Sequence, residues 1–313
     1  MKNLITFIFC VMISGLLQAQ YQTVKKTTSD GKYTYNIVTG DPTQTRFYTL
    51  KNGLQVILSE NRNEPKIMAL ITTRAGGKND PATNTGLAHY LEHLMFKGST
   101  NLGTMDIARE KVYLAQIEDL YEVYRNTTDQ NERKRIYKQI DSISTLASKI
   151  AIPNEYDKAM SAVGSNMTNA FTSYEMTAYM ENIPSNNLEK FLSIQDDRFT
   201  DPVFRLFHTE LETVYEEKNI SLDNGQSKVF EGMFAGLFSK HPYGTQTILG
   251  AVDHLKNPSI KTIRNFYNTY YVPNNMVVIL AGDINADETI KMVDKYFGDW
   301  KPADVPKFKF EPE

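Results

Sequence analysis

"RAGGKNDPATNTGLAHYLEHLMFKGS", residues 74–99, is the stretch from which the fold is read. It opens on a Gly76-Gly77 break, crosses a polar loop, and then becomes periodic. Leu87, Ala88, Leu91 and Leu94 recur at helical spacing, and the pattern stops near Gly98. Within that predicted helix His89, Glu92 and His93 stand at i, i+3 and i+4, on one face. Two imidazoles so placed can converge on one ion, each offering a nitrogen at about 2.0–2.1 Å from zinc. The Glu92 carboxylate lies on the same face and can take a proton from a water that such an ion has acidified toward a pKa of ~7. These are the three groups of the zinc motif H-E-x-x-H, in inverted order. The plainer reading is an amphipathic helix with buried, hydrogen-bonded histidines, and a pair of histidines bracketing a glutamate weighs against it.

Working outward, β-rich runs precede the helix. "RFYTLKNGLQVILSE" predicts a hairpin turning at Asn52-Gly53, and "KIMALITTRAG" a further strand. Residues 21–45 are a polar lead-in with one or two short strands. After the helix, residues 106–150 hold two apolar series at helical spacing: Leu114, Ile117, Tyr121 and Tyr124, then Ile136, Ile140, Ile143, Ala147 and Ile150. The polar break "RNTTDQN" between them predicts a helical hairpin. Beyond Pro153 follow a short helix, the strand-like "NAFTSYEMTAYME", a helix through "NNLEKFLSIQDDRF", a long helix over "FRLFHTELETVYEEKNISLDN" and the loop "SKHPYGTQTILG". More helix, the apolar strand "NMVVILAGDI" and a final helix over "ADETIKMVDKYFGDW" complete the series. Strands and helices are both plentiful without regular alternation. The expected class is α+β, a two-layer sandwich of a mostly antiparallel sheet and helices with an inserted helical hairpin. The tail, residues 301–313, reads as a linker.

The composition suits a globular chain: 41% hydrophobic and 23% charged in 313 residues. A net charge of −3 with mixed signs offers no basic surface for nucleic acid. Residues 1–20 read as a secretory signal, with Lys2, an apolar run from Leu4 to Leu17, and Ala19. That run is shorter than the ~20 residues a membrane span requires. The expectation is therefore an exported protein, periplasmic or secreted, with no membrane contact after cleavage. The single cysteine, Cys10, lies inside this signal behind Ile8 and Phe9, which does not suit lipidation. The remaining chain could form no disulfide, and any metal must be held by His, Asp or Glu.

A hydrolytic zinc requires a third protein ligand. "HTELETVYEEKN", residues 208–219, offers Glu210, Glu212, Glu216 and Glu217. Glu210 and Glu217 are two helical turns apart and share a face with Val214, whereas Glu212 and Glu216 read as a solvated pair. Spacing alone leaves a charged helix surface as an equal alternative.

At this point the sequence resembles a family. The 74–99 segment is similar to the active-site segment of the inverted-zincin metallopeptidases, the group of pitrilysin, insulin-degrading enzyme and mitochondrial processing peptidase. In the expected order, "TLKNGLQVILSEN" resembles the family's opening hairpin, "NAFTSYEMTAY" its substrate-side strand and "ELETVYEE" its distal glutamate helix. "HPYGTQTILG", "FYNTYYVPNNMVVILAGDI" and "KYFGDW" resemble later segments, so the likeness runs from about 46 to 300. It implies one zinc per chain held by His89, His93 and Glu217, with Glu92 as general base and Glu210 as a supporting acid of the catalytic centre. It also implies that Asn169, Ala170, Phe171 and Thr172 form an edge strand that takes up an extended peptide. The activity implied is endopeptidase action on peptides or unfolded polypeptides. The alternative within the same fold is a non-catalytic structural or peptide-binding subunit. The interval from His93 to Glu217 is longer than the family's by about the length of the 106–150 hairpin, which is expected to be an insertion. The family's working unit pairs two such domains. A second homologous domain or subunit is therefore an expected partner, and only the first domain is visible in this sequence.

Overall fold

The computed structural model describes residues 21–313; the expected signal, residues 1–20, lies outside the described residues. An eight-stranded sheet runs β1 (Thr23–Thr27), β2 (Thr34–Val38), β3 (Arg46–Thr49), β4 (Gln55–Glu60), β5 (Lys66–Thr73), β6 (Met167–Thr172), β7 (Thr177–Pro184) and β8 (Met276–Gly282) along the chain. In space the order is β1-β2-β3-β4-β8-β5-β7-β6. Every neighbour pair is antiparallel except β4 and β8, so the α+β, mostly antiparallel expectation holds.

Sequence dictates the register locally. The β3–β4 hairpin closes at Thr49↔Gln55 around Asn52-Gly53. Gly53 has φ +87°, and a Cβ there would meet the Asn274 Cβ at 2.7 Å, so this turn requires glycine. Alternation then sorts the faces. Val56, Leu58, Ile67, Ala69, Ile71, Val278 and Leu280 are fully buried under helices, while Ile57, Leu70 and Ile279 lie half-buried on the opposite face.

The helices are α1 (Leu87–Leu94), α2 (Ile107–Asn126), α3 (Gln130–Ser148), α4 (Glu155–Val163), α5 (Leu188–Thr200), α6 (Phe207–Asp223), α7 (Gly225–Leu237), α8 (Pro242–Thr245), α9 (Val252–Leu255), α10 (Ile260–Tyr270) and α11 (Ala286–Phe297). The pair α2 and α3 forms a hairpin through Ile117, Tyr121, Ile136 and Ile140, all buried. Asp106 and Asp129 cap its two helices by accepting from the Arg109 and Glu132 amides.

Two local readings differ from the sequence expectation. "NAFTSYEMTAYME" is two strands, because Ser173 Oγ accepts from the Glu175 and Met176 amides and folds the chain back at residues 173–176. Helix α7 has no counterpart in the sequence reading. It is capped by Asn224, whose Oδ1 accepts from the Gln226 and Ser227 amides, and it carries Gly232 and Gly236 internally. Glycines of that number weaken the helical signal.

A buried ion pair fixes how α2 and α6 meet α1. Arg205 is 1% exposed and uses all five of its donors. Nε and Nη2 donate to the two Glu110 oxygens at 2.9 and 3.1 Å, and the rest reach the carbonyls of Lys97, Ser99 and Leu102. Arg205 thus joins the root of the hairpin, the loop that ends α1 and the start of α6.

Candidate metal centre

Helix α1 begins where the sequence predicts, for a reason not read there. Asp80, buried, accepts from the amides of Gly86, Leu87 and Ala88 at 2.8, 3.1 and 2.9 Å, taking up the first free donors of the helix. Gly86 has φ +85°, and a Cβ there would lie 2.7 Å from the Leu249 carbonyl oxygen. The apolar face of α1, with Leu87, Ala88, Tyr90, Leu91 and Leu94, is buried, which leaves His89, Glu92 and His93 on the other.

That face meets α6. Tyr90 donates to the Phe207 carbonyl and its ring packs on Phe207 at 4.8 Å, which sets the register between the helices. Val214 is fully buried, so Glu210 and Glu217, four residues before it and three after, point at α1. The two glutamates share the face that meets α1; the Glu210 side chain is 12% exposed and that of Glu217 is 41% exposed. Glu217 Oε2 lies 3.4 Å from His89 Nε2 and 3.6 Å from His93 Nε2. Ligand atoms of the three residues fall within 4.8 Å of one another. Glu210 stands apart from this trio: its Oε2 is 3.5 Å from His93 Nδ1 and its Oε1 is 2.7 Å from Lys97 Nζ.

These spacings suit a metal ion better than direct hydrogen bonds, which prefer 2.7–3.2 Å. Tetrahedral ligands at about 2.0–2.1 Å from zinc lie about 3.3–3.4 Å from each other. Two imidazoles and one carboxylate are also a donor set that zinc accepts.

Charge states follow from the surroundings. Burial, and then the neighbouring His93, push the His89 pKa down to about 4, so this ring is neutral and able to donate a lone pair. Burial also works against a charged His93, but Glu210, Glu217 and Glu92 outweigh it and raise its pKa. Glu92 is 8% exposed, and burial raises its pKa against the pull of a hydrogen bond donated by Thr172 Oγ1.

The substrate-strand candidates divide by direction. Asn169, Ala170, Phe171 and Thr172 lie on β6, which pairs with β7 on one side only among the described residues. Ser173 donates to the Met176 carbonyl across the turn, which makes 171/178 and 169/180 the hydrogen-bonded pairs. The backbone groups of Thr168, Ala170 and Thr172 therefore point to the open edge, and those of Asn169 and Phe171 into the sheet. The outward Ala170 amide is held by the Asn169 Oδ1 at 2.9 Å. Sequence reasoning missed Asp80, Lys97 and Thr168. Of these Lys97, four residues after His93 and thus on the same face, carried a readable signal.

The chain is similar to known proteins along most of its length. Residues 55–112 and 141–249 match the family profile "Insulinase (Peptidase family M16)", and residues 259–313 match "Peptidase M16 inactive domain". The break in the first match, 113–140, falls within the α2–α3 hairpin. The 259–313 segment contains none of the candidate site residues; it supplies α10, β8 and α11 of the same sheet-and-helix unit. The chain is 26% identical over 264 residues to the zinc protease PqqE of Helicobacter pylori, covering 82% of this chain and 47% of the relative. It is 23% identical over 290 residues to the mitochondrial-processing peptidase subunit beta of Dictyostelium discoideum, covering 90% and 51%. Among solved structures, a protease from Helicobacter pylori superposes with TM-score 0.64 at 25% identity, covering 84% of this chain and 52% of that one. The first half of the periplasmic protease PqqL from Escherichia coli gives 0.63 at 17%, covering 85% and 48%, a likeness of fold. The chain spans about half the length of the curated relatives it matches.

Proposed function

Because the chain belongs to the insulinase family of peptidases, M16, we propose that it is the metal-bearing half of a zinc-dependent endopeptidase. Its substrates are peptides or unfolded polypeptides. The observation that carries this reading is Glu217 Oε2 at 3.4 Å from His89 Nε2 and 3.6 Å from His93 Nε2, with ligand atoms of all three within 4.8 Å of one another, beside the buried Glu92. His89, His93 and Glu217 would hold one zinc. Bound there, zinc supplies Lewis acidity that polarises a carbonyl and acidifies a water.

The chain's own residues do the rest. An extended peptide adds to the open edge of β6 through the outward backbone groups of Thr168, Ala170 and Thr172. Main-chain pairing of this kind makes little demand on side chains, which suits unfolded substrates. Glu92 takes the proton of the attacking water and passes it to the amide nitrogen that leaves. Burial raises its pKa toward the range where both transfers are efficient. Thr172 Oγ1 fixes one oxygen of Glu92, leaving the other for the water. Glu210 supports His93 through Nδ1.

The domain layout that fits is a unit over residues 46–300 after a lead-in at 21–45, with the 106–150 hairpin as an insertion and 301–313 as a linker. The profile break at 113–140 supports the insertion. A second homologous domain or partner chain would complete the cleft; relatives of about twice this length support that. Export to the periplasm or beyond is proposed from the sequence of residues 1–20. No helix among the described residues is long and apolar enough to cross a membrane. A non-catalytic subunit is the second reading, favoured by the "inactive domain" match at 259–313.

Metal content and cleavage of an internally quenched peptide separate the two. The chain alone and the chain combined with a second half would each be compared with Glu92→Gln. One zinc in every form, with cleavage in the combined sample that Glu92→Gln abolishes, is the expected result. Stoichiometric zinc without cleavage in any combination would leave the subunit reading standing, and absence of metal binding would remove the ligand assignment.

A further inference from the structure

The centre contains two glutamates within reach of His93, and something must decide which of them becomes a ligand. Glu217 Oε2 approaches both Nε2 atoms, while Glu210 Oε2 faces the far nitrogen, Nδ1. Glu210 is held in that position by Lys97, whose Nζ lies 2.7 Å from Oε1. Both side chains are largely buried, 17% and 12% exposed, so their attraction is only weakly screened by solvent.

Lys97 is itself fixed. It ends the turn of 3₁₀ helix Met95–Lys97 that continues α1, and its carbonyl accepts from the fully engaged Arg205. Four residues after His93, it lies on the ligand face.

The two histidines are supported differently. A ring that offers Nε2 to a metal carries its proton on Nδ1, and an acceptor for that proton fixes both tautomer and ring orientation. On the His93 side Glu210 Oε2 faces Nδ1 at 3.5 Å, long for a hydrogen bond but placed to accept that proton. His89 Nδ1 is buried with no hydrogen-bond partner among the described residues. The orientation of the pair therefore depends on the His93 side.

We propose that Lys97 is a positioning residue of the metal centre. By holding Glu210 Oε1, it aims Oε2 at His93 Nδ1 and keeps this carboxylate from swinging round to compete with Glu217 as a ligand. The assignment rests on the zinc reading given above, and its test is metal binding, which requires no second half.

Zinc affinity of the full chain would be measured by competition with a chromophoric chelator for wild type, Lys97→Met, Lys97→Arg, Glu210→Gln and the Lys97→Met/Glu210→Gln double variant. The visible spectrum of the cobalt-loaded forms reports the ligand set. Lys97→Met is expected to weaken zinc binding by about tenfold or more, within the 10–100-fold range of outer-shell partners, and to change the cobalt spectrum. Lys97→Arg should recover most of the affinity. In the Glu210→Gln background Lys97→Met should add nothing further, since it acts through that group. Circular dichroism melting identifies any variant that fails to fold, and Lys97→Arg, which keeps the charge, then carries the comparison. Unchanged affinity and spectrum in a folded Lys97→Met would overturn the proposal while leaving the zinc reading intact. A wild-type chain that binds no zinc would overturn the reading beneath it.

Discussion

Glu110→Gln is predicted to destabilise the fold strongly from a position outside the candidate ligand set. The Glu110 carboxylate is fully buried and accepts two of the five Arg205 donors. A glutamine keeps the shape and one acceptor, but it removes the negative charge and turns an NH2 group toward a guanidinium. Arg205 keeps its positive charge at 1% exposure, with three carbonyls and no counter-ion. Breaking a buried pair by neutralising one partner costs about 3–5 kcal/mol. Three remaining carbonyl contacts place the estimate at the lower end, about 3 kcal/mol, out of the roughly 5–15 kcal/mol that holds a domain folded. Urea unfolding followed by circular dichroism measures this as a fall in midpoint at constant slope. Arg205 ties the loop that ends α1 to the start of α6, so zinc affinity should fall with stability even though neither Glu110 nor Arg205 is a candidate ligand. A loss below ~1 kcal/mol, the size of an exposed pair, would refute the view that Arg205 ties α1 to α6.

Asp80→Ala leaves the Gly86, Leu87 and Ala88 amides without their acceptor and should cost about 2–4 kcal/mol by the same assay, at the price of unmet buried donors. In metal-free protein, His89 binds its proton only near pH 4 when folded, against about 6.5 unfolded. Between those values the unfolded chain holds the extra proton, so stability falls as pH drops from about 6.5 to 4, by up to roughly 3 kcal/mol. His93 shifts the opposite way and stabilises below its unfolded value, offsetting part of the loss. His89→Asn should remove the acid-side decline, and a decline of equal size in that variant would count against the assignment. Thr172→Val removes the donor that favours ionised Glu92, so the Glu92 pKa should rise further and the acid limb of kcat/KM should move to higher pH in the complete enzyme, with Thr172→Ser restoring it. A limb that stays in place would separate Thr172 from the base.

Much of this was legible because the signals are local. His89, Glu92 and His93 lie within one turn and a half, and helical geometry alone sets their common face. Glu210 and Glu217 flank Val214 at intervals that set them on one helix face, although spacing alone left an exposed charged face as an equal alternative. The turn at Asn52-Gly53 announces itself by residue type. What stayed hidden depends on partners far away in sequence or on unmarked turns. Arg205 and Glu110 read as surface charges until α2 and α6 are brought together. The turn at residues 173–176 contains no glycine or proline, and only the serine hydroxyl reveals why the chain folds back. Asp80 caps a helix six residues ahead of it, beyond the usual position. Helix α7 contains three glycines and leaves Val229, Phe230, Met233 and Leu237 exposed, so neither propensity nor burial pattern identifies it.

The place of β8 bears on how the molecule is made. This strand lies between β4 and β5, matching Ile57 to Ile279 on one side and Leu70 to Ile279 on the other. Its two neighbours leave the ribosome more than 200 residues earlier than it does. Until residue 282 has emerged, the nascent chain holds two separate ribbons, β1 to β4 and β5 with β7 and β6. Each ribbon has a bare apolar edge where the other should join. Loop closure over such a distance is slow compared with pairing of adjacent hairpins, and bare edges are the usual templates for misassembly. Helix α1 can coil early, but the floor on which it rests is laid last.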